Sequence, residues 1–104
     1  MKRTKTLQEI IALLKMHERE FHERYGIKNI GIFGSYLRGE ESEKSDIDLL
    51  VEFDADAYAN IGLLKFIEIE DFLCELLGIK VDLVEKTALK PRIRKRILAE
   101  VIYL

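Results

Sequence analysis

The 104-residue sequence predicts an α/β domain, and three observations carry that reading. Three short apolar runs, Ile27–Phe33, Ile47–Phe53 and Ile79–Val84, have the length and residue types of strands. Two longer stretches, Thr6–Tyr25 and about Asn60–Leu77, repeat their apolar residues at helical spacing and stop at a glycine, Gly26 and Gly78. A further helix is expected from Pro91, because proline is tolerated in a first helical turn. The chain (residues 1–104) is long enough for one real core and too short for a second module.

In the first helix, Thr6 with Glu9 three residues later forms a plausible capping box. Leu7, Ile10, Ile11, Leu14, Phe21 and Tyr25 make one apolar stripe. His17 and His22 are five apart, off the i, i+4 spacing of a helical metal pair, and read as surface residues. The strand that follows delivers Gly34-Ser35. A turn-helix over Ser35–Arg38 would present backbone N–H groups and a hydroxyl to an anion, and Gly34 would let the backbone approach it closely. Arg38 could add charge or do nothing. Gly39–Ser45 reads as a polar loop with Glu40, Glu41 and Glu43 solvated.

The second strand begins with Asp46-Ile47-Asp48. Residues i and i+2 of a strand share a face, so both carboxylates project together. Like charges that close repel and lose hydration unless a cation joins them. Oxygen ligands suit hard ions such as Mg²⁺, which takes one or two carboxylates and fills its other positions with water and phosphate. An Asp-x-Asp pair alone is commonly a solvated turn; Asp54-Ala-Asp56, past the strand, reads as one. On the Asn60–Leu77 helix the apolar arc is near half the circumference, with Glu70 inside it. Either the helix is deeply packed with Glu70 at its edge, or part of the arc meets another protein. Asp82 stands among apolar neighbours of the third strand, as a structural ion pair or as a partner of the first two aspartates. Lys90, Arg92, Arg94, Lys95 and Arg96 form the basic cluster, a solvated face or a grip on phosphates or an acidic partner. The apolar end Val101–Leu104 is expected to pack back or dock.

Composition narrows the classes. The chain is 48% hydrophobic and 35% charged with net charge −2, an ordinary soluble balance. That charge disfavours broad electrostatic capture of nucleic acid, which rests on neutralising phosphates. One cysteine, Cys74, cannot close an internal disulfide, which fits a reducing cytoplasm. Neither a membrane-spanning stretch nor a signal sequence is expected.

Taken together, Gly34-Ser-Tyr-Leu-Arg-Gly39, ten residues between Ser35 and Asp46, and Ser45-Asp-Ile-Asp-Leu-Leu-Val51 are far more specific than any part alone. Here the sequence resembles the nucleotidyltransferases of the DNA polymerase beta superfamily, and most of all the minimal nucleotidyltransferases of bacteria and archaea. The segment from Lys90-Pro-Arg92 through Glu100-Val-Ile-Tyr103 is also similar to the tail of that group. The resemblance implies a small mixed sheet with helices packed on one face. It implies ATP as substrate and two Mg²⁺ ions held by Asp46, Asp48 and Asp82, which would be both catalytic and metal-binding. Asp82 matches the third acidic residue on a later strand and would also take the acceptor's proton. Gly34 and Ser35 would hold the triphosphate, with Arg38 beside them. Larger members carry an extra domain for the acceptor, so here another molecule is expected to bring it. For the minimal group, the resemblance implies a HEPN-domain ribonuclease toxin as partner, with AMP moved onto a tyrosine and the chain acting as antitoxin. Two alternatives stay open: a non-catalytic antitoxin that works by occlusion, and a small-molecule nucleotidyltransferase of the aminoglycoside type, working as a dimer.

Overall fold

The computed structural model describes residues 6–34, 36–37 and 46–104, apart from the side chain of Tyr58. In chain order the elements are α1 (Leu7–Met16), α2 (Glu18–Tyr25), β1 (Ile27–Phe33), β2 (Ile47–Phe53), α3 (Ala55–Asn60), α4 (Leu63–Leu77), β3 (Val81–Glu85), a 3₁₀ turn (Lys86–Ala88), α5 (Pro91–Glu100) and β4 (Ile102–Tyr103). The four strands form one mixed sheet in the order β3-β2-β1-β4. β1 runs antiparallel to β2 and to β4, whereas β2 and β3 are parallel.

The capping box is present, with Thr6 and Glu9 exchanging hydrogen bonds of 3.0 and 3.1 Å. The first helix differs from the sequence reading in being two. His17 closes α1 by donating its N–H to Leu14 O at 3.2 Å, a tighter i→i−3 bond of the kind that marks helix ends. His17 is not a free surface residue. Its ring lies between Phe21 and Phe72, 6.5 and 6.4 Å centroid to centroid, and its Nδ1 is 3.2 Å from Glu20 Oε1. No glycine or proline announces the break. His22 is largely exposed, as expected. A second difference lies at Ala55–Asn60, which forms its own short helix with Asp54 as N-cap residue. Asp54 and Asp56 thus sit at a helix start, where negative charge opposes the dipole favourably.

One face of the sheet is dry. Ile30, Ile32, Ile47, Leu49, Val51, Val81 and Leu83 meet Ile10, Leu14, Phe21, Tyr25, Ile69, Leu73 and Leu77 from α1, α2 and α4 in one cluster. The core positions alternate along β2, as a strand's period of two requires. Glu70 is explained here. β3 is an edge strand, and α4 caps its outward amides: Leu83 N–H donates to Glu70 Oε2 and Val81 N–H to Cys74 Sγ, both at 3.2 Å. The glutamate inside the apolar arc therefore satisfies backbone that would otherwise be an open edge.

The helices do not all share that face, which corrects the expected layout. α5 lies across the other one, seating Ile97 on Phe33 and Leu50, with Val84, Leu89 and Val101 around them. Leu50 is fully buried, like its neighbours Leu49 and Val51, so β2 is apolar on both sides at its middle and needs cover on both. The tail then pairs with β1, Gly31 opposite Tyr103 and Ile32 opposite Ile102, and Leu104 N–H donates to Ile30 O at 3.1 Å. The apolar end packs back as a fourth strand.

Candidate active site

The face carrying α5 also carries the carboxylates. On β2 the residues alternating with the core set are Asp48, Leu50 and Glu52. Parallel pairing places Asp48 opposite Asp82 and Leu50 opposite Val84. Cα-level partners on adjacent strands are about 5 Å apart and project the same way, so Asp48 and Asp82 stand side by side. Asp46, two residues earlier, extends the row from the start of the strand. Its Oδ2 lies 3.9 Å from Lys80 Nζ, a loose and exposed pair. Asp48 and Asp46 are half-buried and Asp82 is exposed, an order that leaves the row open to solvent along one side.

Gly34 ends β1 next to this row, since Phe33 is the partner of Asp48. It has φ of 84°, in the left-handed region that favours glycine. A Cβ there would come 2.1 Å from Asp48 Oδ2. Only a residue without a side chain lets the chain turn against that carboxylate. The turn is closed by Leu37 N–H donating to Gly34 O at 3.1 Å, and Tyr36 is buried in the large core. Ser35, Arg38 and the loop from Gly39 to Ser45, with Glu40, Glu41 and Glu43, lie outside the described residues.

Among the described residues no three His, Cys, Asp or Glu side chains are gathered into a cluster that could hold an ion by themselves. Asp46, Asp48 and Asp82 are arranged as a row on two strands. Such a row fits Mg²⁺ in the way that ion is commonly bound, by one or two carboxylates with water and substrate phosphates completing the shell. Asp54 and Asp56, the other Asp-x-Asp, lie beyond the far end of β2, where Asp54 Oδ2 is 3.5 Å from His22 Nδ1. They take no part in the row.

Two features of this face escaped the sequence reading. Glu100, at the end of α5, accepts the Gly34 N–H at 3.1 Å through Oε1, although 66 residues separate the two. Farther along the face, Glu52 accepts from Asn29 Nδ2 at 2.9 Å and lies 3.7 Å from Lys86 Nζ. The Asn29 hydrogen bond holds the Glu52 carboxyl below its ordinary range; Lys86 and Lys28 reinforce this and burial works against it. The basic residues Arg92, Arg94, Lys95 and Arg96 on α5, and Lys90 just before it, are all exposed.

Comparison with known proteins bears on this arrangement. A family model described as a nucleotidyltransferase domain matches residues 14–104. The protein adenylyltransferase MntA of Thermococcus cleftensis is 51% identical over 98 residues, which span 94% of this chain and 95% of the relative. A solved minimal nucleotidyltransferase structure superposes with a TM-score of 0.74 at 34% identity, covering 99% of this chain and all of that one (100%). A complex of tri-AMPylated Shewanella oneidensis HEPN toxin with an MNT antitoxin superposes with a TM-score of 0.60 at 22% identity, over 92% of this chain and 66% of that one, a likeness of fold.

Proposed function

The chain belongs to the nucleotidyltransferase domain family, and from that premise we propose that it moves AMP from ATP, with Mg²⁺, onto a tyrosine hydroxyl of a HEPN-domain ribonuclease toxin and so acts as antitoxin. The observation that carries the chemistry is the register of Asp48 against Asp82 with Gly34 pressed on Asp48. A protein acceptor is supported by the adenylyltransferase relative at 51% identity. The HEPN partner is supported by the shared fold with an antitoxin bound to such a toxin. The family's enzymatic activity is nucleotidyl transfer; the ion, the tyrosine and the partner are our reading.

In this reading Asp46, Asp48 and Asp82 hold the ions, and Gly34, Ser35 and Arg38 hold the triphosphate. Bound Mg²⁺ supplies charge neutralisation for the triphosphate and lowers the pKa of the attacking hydroxyl. The acceptor oxygen forms a bond to the α-phosphorus, the bond from that phosphorus to the β-bridging oxygen breaks, and pyrophosphate leaves. The acceptor's proton passes to a carboxylate oxygen of Asp82, the most exposed of the three. The protein's contribution is positioning and charge, as in phosphoryl transfer generally. Exposed apolar surface that would suit a macromolecular acceptor lies at the start of α4, where Leu63 and Leu64 are 75% and 83% exposed. Beside them an open groove is lined by Ile61, Phe66, Leu83 and Ala88. Among the described residues no helix is long and apolar enough to cross a membrane.

The test mixes the chain with ATP, Mg²⁺ and the product of the neighbouring gene, then weighs both proteins by intact mass spectrometry. The expected result is a gain of one or more AMP units on the partner, abolished in Asp48→Asn. A stable complex without mass gain would replace transfer by occlusion. Neither gain nor complex would point to a small-molecule acceptor.

A further inference from the structure

Gly34 is held from two sides. Its Cα faces the Asp48 carboxylate, with room for no Cβ, and its N–H is taken by Glu100 Oε1 at 3.1 Å. Glu100 is itself braced before and after. Three residues earlier Ile97 is buried on Phe33 and Leu50. One residue later Val101 packs over Gly31, so closely that a Cβ on that glycine would come within 2.6 Å of Val101 Cγ2. β4 then pairs with β1. The last helix and the tail strand thus grip the second half of β1, from Ile30 to Phe33, and deliver one carboxylate to the turn that ends it.

A glycine in a turn is the residue with most freedom to lose, so an anchor on its N–H has a large effect on where the turn stands. A backbone carbonyl or an amide side chain would serve a purely structural turn. The Glu100 carboxylate meets the same glycine that Asp48 faces, and as an anion it makes a stronger, charge-assisted bond than a neutral acceptor. We propose that Glu100 is a positioning residue of the nucleotide site: by accepting the Gly34 N–H it fixes the turn against Asp48 and so sets the affinity for ATP. The inference rests on the nucleotidyl-transfer reading and deepens it.

The test measures ATP binding by calorimetry in Mg²⁺, and KM for ATP and kcat in transfer, for Glu100→Ala, Glu100→Gln and Glu100→Asp. Glu100→Ala is expected to weaken ATP binding and raise KM roughly tenfold, with kcat at saturating ATP within about threefold. Glu100→Gln restores most of the affinity, because its amide oxygen still accepts. Glu100→Asp keeps the charge but withdraws the acceptor by one methylene, and it raises KM in a folded chain even if Glu100→Ala fails to fold. Wild-type affinity in Glu100→Asp overturns the proposal, as does a glutamine variant no better than the alanine one. Tighter ATP binding in Glu100→Ala also overturns it, since the carboxylate would then be competing with the triphosphate. A wild-type chain that binds no ATP overturns the transfer reading itself, a different failure from a wild-type chain that binds ATP and variants that match it.

Discussion

The two faces of the sheet are made from the same strands and do opposite work. Along β2, Ile47, Leu49, Val51 and Phe53 enter the core under α1, α2 and α4. The alternate residues Asp48 and Glu52 carry charge on the other side, with Leu50 between them under Ile97. One face removes apolar surface from water and holds the fold. The other seats Leu50 under Ile97 and, beside it, arrays the carboxylates to which the proposed transfer is assigned. The lesson is that along β2, Leu50 apart, the residues that hold the fold and those proposed for chemistry alternate by the parity of residue number, so substitutions at Asp48 and Leu49 should act on different observables.

The largest expected effect is on the charged face. Asp48→Asn should lower AMP transfer by at least about a hundredfold, equivalent to roughly 2.7 kcal/mol of transition-state stabilisation, while the melting temperature stays within a few degrees. Steady-state kinetics beside thermal unfolding reads both. Leu49→Ala, one residue on, should cost about 2–5 kcal/mol of stability through the cavity it leaves, with the activity of the remaining folded fraction preserved; denaturant unfolding measures it. If Leu49→Ala instead spared stability and abolished turnover, the division by faces would be wrong.

Glu70→Ala tests whether the dry face depends on its polar edge cap. Losing the acceptor leaves the Leu83 N–H without its partner at the rim of the core, at a cost of roughly 1–3 kcal/mol. Hydrogen exchange at Leu83 should accelerate in that variant more than exchange in β1. The smallest effect concerns Glu52. Its folded-state pKa is depressed, chiefly by Asn29, so its contribution to stability is present above the unfolded pKa of about 4.3. That contribution is lost as pH falls through the lower folded value. Asn29→Ala should lower stability modestly at neutral pH and leave the fully acid value little changed, so that the acid limb of the stability–pH curve becomes flatter. An unchanged acid limb would remove Asn29 as the cause.

Local pattern carried most of this architecture. The three main strands were legible from apolar runs, and the final helix from Pro91. In the row, the shared face of Asp46 and Asp48 was legible from period-two geometry, whereas Asp82 was singled out only by the superfamily resemblance. What was not legible depends on tertiary partners. The break at His17 follows from packing its ring between Phe21 and Phe72, and nothing in the run from Thr6 to Tyr25 is a helix breaker. β4 is two residues long, too short for an alternation to show. The placement of α5 on the second face was hidden because Leu50 is only one apolar residue in a strand already rich in them. Glu100 was unreadable because its partner is 66 residues away. Glu70 looked anomalous in sequence for a related reason, since its role is to satisfy a strand that follows it.

The measurement that bears most directly on the central claim is a titration of Mn²⁺, standing in for Mg²⁺, followed by electron paramagnetic resonance with and without a non-hydrolysable ATP analogue. An open row of carboxylates that relies on substrate phosphates to complete the ion's shell should bind Mn²⁺ weakly alone. The nucleotide should tighten binding by roughly tenfold or more, and Asp48→Asn or Asp82→Asn should abolish the tightening. Equal Mn²⁺ affinity with and without nucleotide, or in the asparagine variants, would contradict the assignment of this face as the site of transfer.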